Sequence, residues 1–117
     1  MKKLKRTMCA LFMCILCAGL SSCQSDEEQY YAMQGVWFCT TWHAYYEFDQ
    51  NGYYTMDDGT NVQHGMYSVH NNMVTLTYNV GNERYDENYV VVGVWDHTMS
   101  WSFQDSLGSQ TVSFVRQ

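Results

Sequence analysis

No proline occurs in this chain, and from Gly35 onward it breaks into short runs of alternating large apolar and polar side chains separated by Gly, Asn and Asp. Alternation of this kind fits a ladder with one buried face, and nothing after Tyr30 keeps a helical period. Eight strands are predicted: Val36–Trp42, Ala44–Phe48, Tyr53–Asp57, Val62–Val69, Met73–Tyr78, Tyr85–Val94, Met99–Gln104 and Gln110–Arg116. A short helical turn is expected over Tyr30–Gln34. The connections, among them Asp49-Gln50-Asn51-Gly52, His70-Asn71-Asn72 and Val80-Gly81-Asn82, supply residues that tolerate positive φ or bond their own backbone. Since every connection is short, neighbouring strands pair in order as an antiparallel meander. Strands this short avoid exposed edges most simply by closing on themselves. The expected fold is all-β, a small antiparallel eight-stranded meander β-barrel.

Alternation also assigns faces. With Trp37 inward, period two sends Tyr46, Phe48, Tyr54, Tyr67, Val69, Val74, Leu76, Tyr78, Trp101, Phe103, Val112 and Phe114 inward as well. An eight-stranded barrel has room for side chains or for one small ligand, and rings of this size can fill it. The expectation is a packed core with at most a shallow pocket at one mouth.

The motifs along these strands carry a resemblance. Gly35-Val36-Trp37, then Phe48-Asp49-Gln50-Asn51-Gly52-Tyr53-Tyr54, Gly65-Met66-Tyr67-Ser68-Val69 leading to Val74-Thr75-Leu76, and a closing Val112-Ser113-Phe114-Val115-Arg116 are similar in order and spacing to small bacterial lipocalin-like domains. The resemblance covers nearly all of the chain from Gly35 onward and implies a lipocalin-like barrel. The domain is far shorter than a full-length lipocalin and lacks that family's other loop motifs, so the resemblance implies the fold rather than a deep calyx or an activity. It also suggests that Arg116 lies across the Trp37 face, a cation–π contact worth about 0.5–2 kcal/mol. The alternative is a solvated penultimate side chain.

The N-terminus is an address. Lys2, Lys3, Lys5 and Arg6 precede an uncharged apolar run from Met8 to Leu20, too short to cross a bilayer core, so residues 1–22 read as a signal peptide. Leu20-Ser21-Ser22-Cys23 resembles a bacterial lipobox, which implies that Cys23 carries a diacylglyceryl thioether and becomes the mature N-terminus. Each buried methylene contributes about 0.8 kcal/mol, so two or three acyl chains give a stable anchor. The competing reading is cleavage near Ala18-Gly19 or Ser22 and a soluble secreted domain. Residues 23–33 then form a lipidated acidic tether, with Gln24-Ser25-Asp26-Glu27-Glu28-Gln29 expected to be flexible, and residues 34–117 form the barrel domain. An acidic run after a lipidated cysteine resembles an export signal to the outer face of the outer membrane, so the expected location is the bacterial envelope, lipid-anchored at the outer membrane and potentially surface-exposed.

Loss of residues 1–22 leaves Arg84 and Arg116 as the only Arg or Lys against twelve Asp and Glu, a formal charge of −10. Such a surface repels phosphate backbones and anionic headgroups, which excludes nucleic acid as an expected partner and leaves the lipid to hold the membrane. With Cys9, Cys14 and Cys17 in the signal and Cys23 modified, Cys39 has no intrachain partner. Its position between Phe38 and Thr40 predicts a buried, inert thiol.

Catalysis finds no constellation. His43, His64, His70 and His97 lack metal-site spacing. The neighbours in Asp57-Asp58 and Asp86-Glu87 point to opposite faces in a strand or solvate a turn in a loop. No enzyme activity and no cofactor are expected. On the outward parity, Phe38, Trp42, Tyr45 and Tyr53 could form one exposed aromatic patch near Glu47, Asp49 and Asp57. Such platforms suit sugar rings, unless a bulge flips the parity or Tyr30-Tyr31 covers them. The expected function is a monomeric, membrane-anchored binding module for a glycan or small apolar ligand. The alternative is a protein-interaction module, an inhibitor or accessory subunit of an envelope complex.

Overall fold

The structure, a computed structural model, describes residues 25–117. The expected signal peptide and the lipidation site Cys23 lie outside the described residues. Helix α1 (Asp26–Ala32) is followed by β1 (Gly35–Cys39), β2 (Ala44–Phe48), β3 (Tyr53–Asp57), β4 (Val62–His70), β5 (Met73–Val80), β6 (Glu83–Val94), β7 (Thr98–Asp105) and β8 (Gly108–Arg116). Each strand pairs antiparallel with the next, and β8 returns to β1 with Trp37 opposite Arg116 and Cys39 opposite Phe114. The sheet is a closed barrel with no crossover, compatible with a lipocalin-like fold.

Two expectations require correction. The acidic segment is not a flexible tether from Ser25 onward: it is α1. Ser25 caps the helix, accepting from the Glu28 N–H at 3.1 Å while the Glu28 carboxylate accepts from the Ser25 N–H at 2.9 Å. The three acids of the first turn complement the helix N-terminus. A seven-residue helix has little stability alone; contacts with the barrel hold this one. Gln29 and Met33 are buried, and Gln29 Nε2 donates to Asn72 Oδ1 at 2.8 Å. Asp26 accepts from the Asn71 N–H at 2.8 Å.

The second correction concerns the first strand, which stops at Cys39 rather than Trp42. The Thr40 N–H donates to the Ser113 carbonyl and the Ser113 N–H to Thr41 Oγ1, each at 2.9 Å, so β8 bonds to a turn instead of an extended strand. His43 then takes φ 55°. Trp42 leaves the alternation.

The inward face otherwise follows period two. Trp37, Phe48, Tyr54, Val74, Leu76, Trp101, Val112 and Phe114 are almost wholly buried, Tyr46 and Tyr67 nearly so, and Val69, Tyr78 and Phe103 half-buried. Rings meet inside the barrel, with Trp101 4.4 Å from Phe114 on the neighbouring strand and 6.1 Å from Phe48 on the opposite side between centroids. Burying each such side chain contributes roughly 1.5–3 kcal/mol. Gly65 is required by this packing, because a Cβ there would come within 2.6 Å of the Tyr54 ring and closer still to the Thr77 carbonyl. On β6 a bulge between Val91 and Gly93 shifts the parity, so Tyr89, Val91 and Val94 all reach the core. Cys39 is fully buried, and burial pushes its thiol up in pKa.

The two ends of the barrel differ. At one end lie α1 and the connections Asp49–Gly52, Asn71-Asn72 and Trp95–His97. There Arg116 sits 4.2 Å over the Trp37 ring and donates to the carbonyls of Asp96, Gln34 and Ala32 at 2.7, 2.9 and 2.8 Å. The Trp37 indole N–H donates to the Met33 carbonyl at 2.8 Å. This end is closed.

Candidate functional site

The opposite end is a mouth. Its cavity, about 320 Å³, is lined by Trp42, Ala44, Tyr46, Met56, Asp58, Gln63, Tyr78, Glu87 and Tyr89. That volume is at the small end for ligand sites and suits one ring or a compact chain. The depth is limited from below, because Tyr46 packs against Phe48, Tyr54, Trp101 and Phe114 at 5.6–6.4 Å.

Strand register builds the polar part. Leu76 faces inward on β5 and its partner on β6 is Glu87, so the ladder carries this carboxylate to the inner face. Both carboxylate oxygens accept hydrogen bonds at 2.6 Å, one from the Tyr78 hydroxyl and one from Tyr89. Asp86, one residue away, points outward and accepts from Thr77 and Arg84. Nearby, the Tyr54 hydroxyl donates to Gln63 Oε1 at 2.9 Å.

Burial and the Glu87 carboxylate together act on the phenols around it. Its hydrogen bond, ahead of burial, pushes Tyr78 up to about 12. Burial first, then Glu87, raises Tyr89, while Tyr46 and Tyr54 are raised by burial with a smaller push from the same carboxylate. All four phenols are therefore harder to ionise than a free tyrosine, and two of them, Tyr78 and Tyr89, donate to the carboxylate. At the rim, Asp58 accepts from the N–H groups of Asn61 and Thr60, which holds its carboxyl below the usual range.

Trp42 supplies the aromatic wall. The turn after β1 brings it to Tyr89 at 5.8 Å and to Tyr46 and Phe103 at 6.4 Å. β6 pairs with β7 over Val90–Val94, with the bulge interrupting the register between Val91 and Gly93. Just beyond that register, Tyr89 on β6 and Phe103 on β7 meet edge to face at 5.7 Å.

The four outward aromatics proposed as one patch are not together. Phe38 and Tyr45 are cross-strand partners with rings 4.9 Å apart on the outside of β1 and β2. Trp42 lies at the mouth, and Tyr53 pairs with Met66 at the other end of β3. Parity assigned Phe38, Tyr45 and Tyr53 to the outside correctly but said nothing of position along the strand. His64 and His70 likewise have separate partners, Thr55 at 3.1 Å and Asp26 at 3.0 Å.

The residues that do converge, Glu87, Tyr78, Tyr89 and Tyr46, were legible only in part. Alternation separates Asp86 from Glu87, yet which of them faces inward depends on register with β5. In comparisons with known proteins, the chain matches no family model and no curated protein.

Proposed function

We propose that this protein is a non-catalytic, lipocalin-like binding module, lipid-anchored through Cys23 to the bacterial outer membrane, that seats one small ligand such as a glycan unit in the open mouth. The observation that carries the reading is the asymmetry of the barrel. One end is sealed by α1 and Arg116, the waist is filled by rings, and the remaining space opens where Trp42, Tyr46 and Tyr89 flank the Glu87 carboxylate. Flat rings beside hydrogen-bonding groups are the chemistry a sugar ring requires.

The anchor supports the same orientation. Only Gln24 separates Cys23 from the capping residue Ser25, a reach of roughly 7 Å for extended chain. A lipidated Cys23 holds the closed end against the bilayer and turns the mouth away from it. The test is a titration of the isotope-labelled protein with a panel of mono- and disaccharides, followed at the Trp42 indole resonance. Shifts confined to the mouth are expected. A panel that moves only outer-face residues, or moves nothing, refutes the reading. For the anchor, mass spectrometry should find Cys23 acylated; an unmodified thiol refutes it.

A second reading, a protein-interaction module, draws support from one surface. Tyr45, Phe38 and Val115 form a cross-strand row on the outside of β2, β1 and β8, with Tyr45 and Val115 exposed. Apolar rows of this kind mark docking faces. Here the Tyr45→Glu substitution should abolish association with an envelope partner and leave the mouth unaffected.

A further inference from the structure

The mouth contains negative charge without a counterpart. Glu87 and Asp58 both line it, and among the described residues neither Arg84 nor Arg116 does. Arg84 bonds Asp86 on the outer face, and Arg116 is fixed at the closed end by three carbonyls. Among the described residues, Glu87 forms no ion pair; its partners are the Tyr78 and Tyr89 hydroxyls. Each carboxylate oxygen has further acceptor capacity beyond these single bonds.

The walls match that charge. The Trp42 ring lies 5.8 Å from Tyr89 and 6.4 Å from Tyr46. A cation within about 6 Å of such ring faces is attracted by their quadrupoles, by ~0.5–2 kcal/mol depending on desolvation. The other end of the same barrel displays the completed arrangement: a guanidinium 4.2 Å over Trp37, satisfied by carbonyl oxygens. At the mouth, rings and acceptors recur, and among the described residues no Arg lines it.

We infer that the mouth binds a small organic cation, an ammonium group seated against the Trp42, Tyr46 and Tyr89 rings and facing the Glu87 carboxylate. This rests on the mouth being the ligand site, and it names the ligand's charge. A neutral sugar could stack on the same rings but would leave both carboxylates unmatched. The same ammonium chemistry comes from two sources, a free amine or an amino sugar.

Paired probes test it on the full chain in an uncharged detergent. Choline is titrated beside its uncharged analogue carrying tert-butyl in place of trimethylammonium, and glucosamine beside glucose, each followed at the Trp42 indole resonance. The cationic member of at least one pair should bind on the order of tenfold more tightly than its neutral partner, and the pair that responds identifies the source. Glu87→Gln should shrink the difference to what the rings alone supply, at least severalfold below that of the unaltered protein. Should that variant fold poorly, Trp42→Leu, which leaves the carboxylate in place and is followed at the Ala44 amide resonance instead, should weaken the cation at least as much as its neutral partner. Equal binding within each pair overturns the cation and leaves the mouth as the site. Movement of the Trp42 resonance by neutral saccharides alone does the same. If no probe moves it, both readings fall.

Discussion

The two ends of this barrel are made of the same materials and serve opposite purposes. At the closed end a cation, an indole and a set of backbone acceptors come from within the chain: Arg116 over Trp37, bonded to Asp96, Gln34 and Ala32. At the mouth, a carboxylate, two tyrosine hydroxyls and an indole face about 320 Å³ of open space. The difference teaches where stability is concentrated. A network whose partners are all internal holds the fold, and a network with a free side is available to something else.

Alkaline pH acts on the whole barrel and gives the largest effect. Tyr46, Tyr54, Tyr78 and Tyr89 near the mouth, and Tyr67 at the closed end, all have raised pKa values, Tyr78 to about 12. A phenol raised above its unfolded value of about 10 contributes its full stabilisation below that pH, and the contribution is lost as pH rises through the folded value. Ultraviolet titration should therefore show these tyrosines ionising together with loss of the near-ultraviolet dichroism, in the window from roughly pH 10 to 12. If they ionise near pH 10 with the dichroism intact, burial and Glu87 do not hold them neutral.

Next in size is Arg116→Gln. It removes a charge that makes three hydrogen bonds to carbonyls and covers Trp37, and glutamine can restore one bond at most. A loss of about 2–4 kcal/mol is expected, a melting temperature lower by on the order of 10–20 °C. An unchanged melting curve would mean that the closed end is held by α1 and the core alone.

These effects follow from features of unequal legibility in the sequence. Trp37, Tyr46, Phe48 and Tyr54 were placed inside by alternation alone, because each lies on a strand with polar residues on the other face. The Asn71-Asn72 reversal was equally clear, and both residues have positive φ, 52° and 62°. Tyr89 was not placed, since Tyr89-Val90-Val91-Val92 is apolar on both parities and a bulge then shifts the register. Trp42 misled because a turn has no face. The helix carried a signal that composition obscured: Ser25 followed by Glu28 is a capping box, read instead as part of a polar run. Glu87 became a site residue only through its register with Leu76, a contact between strands that no single segment encodes.

Ser25→Ala tests whether that helix is part of the seal. Loss of the cap should cost about 1 kcal/mol, seen as a melting temperature lower by roughly 4–8 °C and as faster amide exchange at Asn72, whose side chain bonds Gln29. If exchange at Asn72 is unchanged, α1 does not brace the closed end.

The smallest change in stability is expected at the mouth itself. Glu87→Gln keeps the shape and removes a charge that, among the described residues, pairs with no cation. The amide oxygen still accepts from one tyrosine, and the other hydroxyl can rotate to accept from the amide nitrogen. Relief from burying part of a carboxylate offsets the weaker bonds, so the denaturation midpoint should move by less than about 1 kcal/mol. The same substitution should nevertheless leave a clear electrostatic trace. The hydrogen bond to Glu87 is the leading cause of the raised Tyr78 value, so its ionisation should fall from about 12 toward the ordinary tyrosine value. A stability loss as large as that of Arg116→Gln would make Glu87 a structural group like its counterpart at the closed end, and the mouth would then be a second seal rather than a site.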